Sequence, residues 1–345
     1  MNELSSQQAV SSRYAKQVLF APIGREGQIR LGNSRAVVVG VGALGTVSAG
    51  QLARAGVGHL RLVDRDFVEL SNLQRQVLYD EEDAAQRLPK AIAAAAKLQV
   101  ANRDVEVEPV VADLTPRNVE GLLAGADVVI DGTDNWETRF LVNDACVKLG
   151  IPWVYGGAVG SWGCTMAIVP GATPCLRCFL ANPVPAGVGE TCDTAGVLAA
   201  APGVVASLQC AQALRLLTGQ AATSAVIYLD VWDCAFQEIK LRRREDCPAC
   251  GERRFEFLAG ERISWTTVLC GRNSVQIIPA AEQALPLPEL ARRLAQVGRV
   301  VFNGFLLSLE VEGCTLVVFP NGRTIVQGTT EESVARTLYA RYVGS

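Results

Sequence analysis

The chain has 345 residues, more than one typical domain needs, and 49% of them are hydrophobic against 19% charged, so a large core can be buried. The formal net charge is −3, from 32 basic and 35 acidic side chains, which argues against broad nucleic-acid binding. A single histidine, His59, excludes a histidine-based zinc site and argues against histidine acid–base catalysis.

The first 12 residues read as a loose polar tail with no secretory signal, and Arg13 to Arg30 as a helical arm. Then strands and helices alternate as in a doubly wound sheet. Ala36–Gly40 is an apolar strand, Leu44–Ala55 a small-residue helix, and Leu60–Val63 a second strand with His59 at its start. Pro89–Val100 is a helix with proline in its first turn. Strands follow at Val105–Val111, Val128–Ile130 and Trp153–Tyr155, with helices near Val119–Leu123 and Glu137–Lys148 between them. After Ser161 the strands Cys164–Val169, Val226–Asp230 and Ala235–Leu241 suggest an antiparallel addition to a Rossmann-like, mostly parallel α/β sheet. The uncharged stretch Thr194–Leu214 has the length of a membrane span, but its Pro202, Ser207, Gln209 and Gln212 favour a buried helix broken at Pro202. The expected organisation is a tail (1–12), a nucleotide-binding domain (13–255) and a small α+β domain (256–345). The last contains a helix at Leu287–Gln296, short strands with a hairpin at Asn321-Gly322, and a helix at Glu331–Tyr342.

Gly40-Val-Gly-Ala-Leu-Gly45 follows a strand and opens a helix. Gly40 permits the tight turn, Gly42 lets backbone approach a phosphate, and Gly45 lets the helix pack on the strand. Asp64, at the end of the second strand, suits a ribose hydroxyl. NAD and ATP are both admissible to this point. The segment Asp64 to Gln76 then crowds Asp66, Asn72, Arg75 and Gln76 into one loop, with Lys90 at the next helix start, and such cations suit a triphosphate. Asp131-Gly-Thr-Asp-Asn135 ends an apolar strand, where Asp134 can hold Mg2+ while Asn135 caps the next helix. Cys175-Leu-Arg-Cys178 and Cys247-Pro-Ala-Cys250, 68 residues apart, match a tetrahedral zinc site that staples distant segments. The closed four-thiolate set leaves no position for catalysis. Cys192, in Glu190-Thr-Cys-Asp-Thr-Ala-Gly196, lies just ahead of an expected helix start that favours its thiolate.

Together the glycine turn, Asp64-x-Asp66, Ser71-Asn-Leu-Gln-Arg-Gln76, Lys90, Thr133-Asp-Asn135 and the paired CxxC resemble the ThiF/MoeB/HesA family, relatives of ubiquitin-activating enzymes, over about residues 13–250. The resemblance implies a cytoplasmic adenylyltransferase that joins AMP from ATP to the C-terminal glycine carboxylate of a small ubiquitin-fold sulfur carrier ending in Gly-Gly. It implies that Asp64 holds the ribose, that Asn72, Arg75 and Lys90 contact phosphates, and that Asp134 holds Mg2+, with Asp66 and Gln76 in the same site. It also implies a homodimer in which an arm arginine reaches ATP in the partner subunit. This chain has Lys16 in that place, in Arg13-Tyr-Ala-Lys-Gln17, which keeps the charge and loses the bidentate geometry. A cysteine in the context of Cys192 forms a covalent link to the carrier in thiamine-type members, and a persulfide donor protein is a further expected partner. The last domain lacks a rhodanese-type persulfide loop and resembles an extension on some bacterial thiamine-type members.

Two other classes compete with this reading. An NAD-dependent oxidoreductase explains the glycines and Asp64 but leaves Arg75, Lys90 and Asp134 unused. A non-catalytic nucleotide-binding scaffold fits the loss of the arm arginine. The thiamine, molybdopterin and tRNA-thiolation carriers share one tail chemistry, so the sequence does not choose among them.

Overall fold

The computed structural model describes residues 13–181, 195–223, 225–261, 266–269, 273–279 and 284–343. The chain divides into two compact units, Met1–Ala85 with Lys90–Arg262, and Gln86–Pro89 with Ile263–Ser345.

The first unit is built on an eight-stranded sheet of order β3-β2-β1-β4-β5-β6-β7-β8. Its strands are β1 (Arg35–Val39), β2 (His59–Asp64), β3 (Glu106–Val111), β4 (Val128–Asp131), β5 (Trp153–Val159), β6 (Trp162–Ile168), β7 (Ala225–Asp230) and β8 (Ala235–Lys240). Strands β3 to β5 in that order pair in parallel, and β5 through β8 pair antiparallel. The inner parallel strands β1, β4 and β5 are apolar on both faces because both are covered, and Ala36–Val39, Val128–Ile130 and Trp153–Tyr155 are all buried. The strand order reverses direction between β1 and β4. In open α/β sheets such a point leaves a crevice beyond the carboxyl ends of the strands, where ligands bind.

The principal helices are α1 (Ala15–Val18), α2 (Gly24–Asn33), α3 (Ala43–Ala55), α4 (Lys90–Ala101), α5 (Trp136–Leu149) and α6 (Ala200–Leu217). Two differ from the sequence reading. The arm is two helices rather than one, because Pro22 and the left-handed Gly24 (φ +57°) interrupt it. Helix α6 is not broken at Pro202. It starts at Ala200 and holds Pro202 in its first turn, where a missing N–H leaves no bond unmade. Among the described residues no helix is long and apolar enough to cross a membrane. His59 begins β2, at the end of the strand away from the crevice, and its Nδ1 lies 3.0 Å from Glu106 Oε2.

The second unit carries an antiparallel sheet of order β11-β12-β13-β14-β10-β9. These strands are β9 (Thr266–Leu269), β10 (Ser274–Ile277), β11 (Arg299–Phe302), β12 (Leu307–Val311), β13 (Cys314–Val318) and β14 (Thr324–Gln327). Helices α7 (Leu287–Leu294) and α8 (Glu332–Tyr342) close its core through Leu290, Leu294, Leu338 and Tyr339 against Leu309, Leu316 and Val326. Asn303 Nδ2 donates to the carbonyls of Gln86 and Arg87, which accounts for that short segment belonging to this unit.

Candidate active site and metal centre

The turn after β1 forms because Gly40 and Gly45 let two strand ends and helix α3 meet. Gly40 has φ +84°, and a Cβ there would lie 2.6 Å from the Gly132 carbonyl oxygen. A Cβ on Gly45 would lie 1.9 Å from the Gly40 carbonyl, so helix α3 packs on the turn only with glycine there. Gly42 differs: the nearest atom to an added Cβ is Gln76 Nε2 at 3.8 Å. Packing therefore accounts for Gly40 and Gly45, whereas Gly42 has room for a Cβ at ordinary contact distance at the start of α3, where free N–H groups and the helix dipole favour an anion.

The loop after β2 is tied to this turn. Asp64 accepts from Val41 N at 2.6 Å and from Asp66 N at 2.7 Å. Each oxygen keeps a lone pair for a further donor. Burial pushes the Asp64 carboxyl above its ordinary range, and Lys90 works against that shift. The Lys90 ammonium is buried and lies 3.4 Å from Asp66 Oδ2, while its backbone N–H donates to the Asp66 carbonyl. Tyr79 Oη lies 2.7 Å from the Val41 carbonyl and 3.2 Å from that of Lys90, which joins the turn to the start of α4. Asn72 is buried, and its Oδ1 accepts from Glu69 N in a capping box around the turn Leu70–Asn72. Arg75 is half-buried and donates to the Ser71 carbonyl. Gln76 is buried beside Gly42, and its Oε1 has no hydrogen-bond partner among the described residues.

The third loop follows β4. Asp131 is buried; its Oδ1 accepts from Thr133 N and Oγ1, and its Oδ2 faces Arg139 Nε at 3.2 Å. Asn135 Oδ1 accepts from Thr138 N at 2.8 Å and so caps α5. Asp134 is exposed, and no hydrogen bond or ion pair to it is present among the described residues. Arg65, 3.2 Å from Asp113, is a residue that sequence reasoning passed over. Burial opposes its charge, but Asp113, then Asp66, Asp134 and Asp64, hold its pKa above the ordinary guanidinium value. The acids of the second and third loops therefore share one field. Tyr79 and Arg139 were also passed over, because a tyrosine in a polar loop and an arginine inside a helix carry no motif of their own.

One expected residue falls elsewhere and another is not among those described. Lys16 is exposed on α1, whose neighbour Gln17 donates to the Ala55 carbonyl at the far end of α3. A helix of 13 residues is about 20 Å long, so Lys16 sits a helix length from the glycine turn of its own chain. Cys192 lies outside the described residues.

The four cysteines of the paired motifs converge. Their sulfurs all lie within 4.8 Å of one another, with Cys175 to Cys247 at 3.6 Å and Cys178 to Cys250 at 3.4 Å. Zinc at about 2.3 Å from each thiolate of a tetrahedron sets the sulfurs about 3.8 Å apart, so the donors fit that ion. Mutual hydrogen bonding splits the four thiols, lowering Cys247 and Cys250 and raising Cys175 and Cys178. The centre is clamped to α5. Asn143 Oδ1 accepts from Leu176 N, Asp144 Oδ2 accepts from Phe257 N, and the buried Arg177 pairs with Glu256 at 3.3 Å beside the stacked rings of Phe140 and Phe257.

The ThiF family model matches residues 14–249. The chain belongs to the ThiF family. It is 44% identical over 338 residues to the sulfur carrier protein ThiS adenylyltransferase of Bacillus subtilis, covering 97% of this chain and 100% of that protein. It is 43% identical over 242 residues to the SAMP-activating enzyme E1 of Haloferax volcanii, covering 70% of this chain and 88% of the relative. Among solved structures, E. coli MccB crystallised with succinimide has a TM-score of 0.62 at 23% identity, over 70% of this chain and 74% of that one, which shows a shared fold. The match to the Bacillus protein extends through the second unit; the match to the Haloferax protein spans about the length of the ThiF region alone.

Proposed function

We propose that this protein is a cytoplasmic adenylyltransferase that activates the C-terminal glycine carboxylate of a ubiquitin-fold sulfur carrier ending in Gly-Gly. The observation that carries the reading is Asp134: an exposed carboxylate with no hydrogen bond or ion pair among the described residues, at the strand-order reversal, in the same site as the Gly42 turn and the buried Lys90. The names of the relatives from Bacillus and Haloferax support it, the first favouring a ThiS-type carrier of the thiamine pathway over a molybdopterin-type one.

In this reading Gly42 and the start of α3 receive the phosphates, and Asp64 accepts from the ribose. The buried Gln76 Oε1, with no hydrogen-bond partner among the described residues, and the space at Gly42 support a bound ligand there. Asn72, Arg75 and Lys90 line the polyphosphate, with Asp66 orienting Lys90. A carboxylate oxygen of the carrier attacks the α-phosphorus, the bond from that phosphorus to the bridging oxygen breaks, and pyrophosphate leaves. An acyl adenylate remains. Lys90 and Arg75 lower the barrier by offsetting negative charge that shields the α-phosphate. Mg2+ held by Asp134 would supply further charge neutralisation between the phosphates. No step needs a histidine, consistent with a chain whose one histidine pairs with Glu106.

The four cysteines hold structural zinc in this account. Lys16 lies far from its own glycine turn, so it serves ATP in the partner subunit of a homodimer. Cys192 is the thiol for a covalent carrier link, the sulfur coming from a persulfide donor protein, and the C-terminal domain (256–345) docks one of these proteins. The test is exchange of radiolabelled pyrophosphate into ATP that depends on the carrier, with thiazole-pathway and molybdopterin-pathway carriers assayed in parallel. Exchange with either supports the reading, and preference for the thiazole-pathway carrier supports the narrower one. NADH binding without ATP binding would replace it with the oxidoreductase reading.

A further inference from the structure

We infer that Arg139 is a positioning residue for this reaction, fixing the backbone from which Asp134 projects; the inference rests on the proposed role of Asp134. Arg139 is 7% exposed. Its guanidinium serves three different elements: Nε donates to Asp131 Oδ2 at the end of β4, and Nη2 donates to the Thr133 carbonyl at 2.6 Å and to the Gly156 carbonyl of β5 at 3.1 Å. The group lies 4.9 Å from the Trp136 ring centroid and 5.4 Å from that of Tyr155. Burial works against the charge on Arg139, and Asp131, with a smaller part from Tyr155 and Asp134, more than restores it.

Thr133 is thereby held at every polar atom it has. Its N–H and hydroxyl donate to Asp131 Oδ1, and its carbonyl accepts from Arg139. The next residue is Asp134, exposed and with no hydrogen bond or ion pair among the described residues. A carboxylate meant for a metal must be placed in advance yet keep its lone pairs open, and gripping the preceding residue achieves both. Stability alone does not explain the arrangement, because a buried ion pair is often no better for stability than apolar packing of the same volume. Lysine cannot replace the fork, since one ammonium on a flexible stem cannot hold a carboxylate and two carbonyls in fixed directions.

The test uses the full-length, zinc-loaded chain with Arg139→Lys, and with Thr133→Val as a gentler release of the same loop that removes only the hydroxyl bond. Melting curves first establish that each variant is folded. Pyrophosphate exchange then gives kcat and KM for ATP, and Mn2+ binding in the presence of a non-hydrolysable ATP analogue is read by electron paramagnetic resonance. The expected result for Arg139→Lys is a kcat lower by about 10- to 100-fold with KM for ATP changed by less than about threefold, and weaker Mn2+ binding. Thr133→Val moves both readouts in the same direction by less. Folded variants with wild-type kcat and wild-type Mn2+ affinity overturn the inference. If the wild-type chain itself fails to exchange pyrophosphate, the activity reading fails, and unchanged or weakened Mn2+ binding in Arg139→Lys still decides the positioning claim.

Discussion

At the scale of single residues, Asp134 and the three glycines separate function from folding. Asp134 is exposed and has no hydrogen bond or ion pair among the described residues, so Asp134→Ala should leave stability within about 0.5 kcal/mol while carrier-dependent exchange falls by at least about 100-fold. Melting curves and exchange assays on the same preparation measure both. Normal exchange by that variant would remove Asp134 from the site. The glycines make a paired prediction. Gly45→Ala forces a Cβ to within 1.9 Å of a carbonyl oxygen and should cost about 3 kcal/mol or more in a denaturant titration. Gly42→Ala meets nothing nearer than 3.8 Å and should cost under about 1 kcal/mol, yet weaken ATP binding by about tenfold. A Gly42→Ala variant that binds ATP normally would assign that glycine to the turn alone. Much of this site was legible in the sequence, because glycines, acids and cations sat at strand ends in a fixed order. Arg139 and Tyr79 were not legible. Their partners are Asp131, Thr133, Gly156 and Val41, and only the parallel pairing of β1, β4 and β5 brings those together.

At the scale of elements, the metal centre and α5 act as one body. Asn143, Asp144, Phe140 and Arg177 join the helix to the first CxxC segment and to Glu256 and Phe257, just beyond the second. Zinc removal by a chelator, or Cys247→Ser, should lower the melting temperature by many degrees, since metal-binding free energy is folding free energy at such a site. An unchanged melt after zinc loss, checked by metal analysis, would deny the staple role. Asp144 adds a pH dependence. Burial, opposed by hydrogen bonds from the Phe257 and Leu258 amides, raises its carboxyl from 3.8 to about 6. The folded chain then holds the proton more tightly than the unfolded one between about pH 4 and 6, so the cost of ionising Asp144 is absent below that window and complete above it. At about 1.4 kcal/mol per unit, that cost is about 3 kcal/mol at pH 8. Asp144→Asn should therefore gain stability relative to wild type at pH 8 and lose that gain by pH 4; a difference that does not vary with pH would contradict it. The elements themselves were mostly readable. Apolar runs gave the buried strands, and Asn135 ahead of Trp136 marked the start of α5. Pro202 was misjudged because proline ends a helix in its interior but not in its first turn. The β9–β10 hairpin was missed because Thr266–Leu269 and Ser274–Ile277 are four-residue strands, too short to show alternation.

At the scale of the whole molecule, the proposed function puts catalysis in the first unit, with Lys16 supplied by a second copy of the chain. Lys16 on α1 is remote from the glycine turn of its own subunit. Lys16→Ala and Asp134→Ala homodimers should each lose exchange, and mixing them under conditions of subunit exchange should restore part of it, because hybrid dimers contain one site intact in both respects. Absence of recovery in dimers shown to be mixed would place Lys16 outside the site. The alignment with the Bacillus relative runs through the second unit, so that unit belongs to the same architecture rather than to an unrelated appendage. The measurement that bears most directly on the central claim is pyrophosphate exchange into ATP by the zinc-loaded wild-type chain, with a carrier ending in Gly-Gly and the same carrier lacking its terminal glycine. The account predicts exchange with the intact carrier, dependence on Mg2+, and none with the truncated one. Equal exchange with both carriers, or none with any Gly-Gly carrier from folded protein, would contradict it.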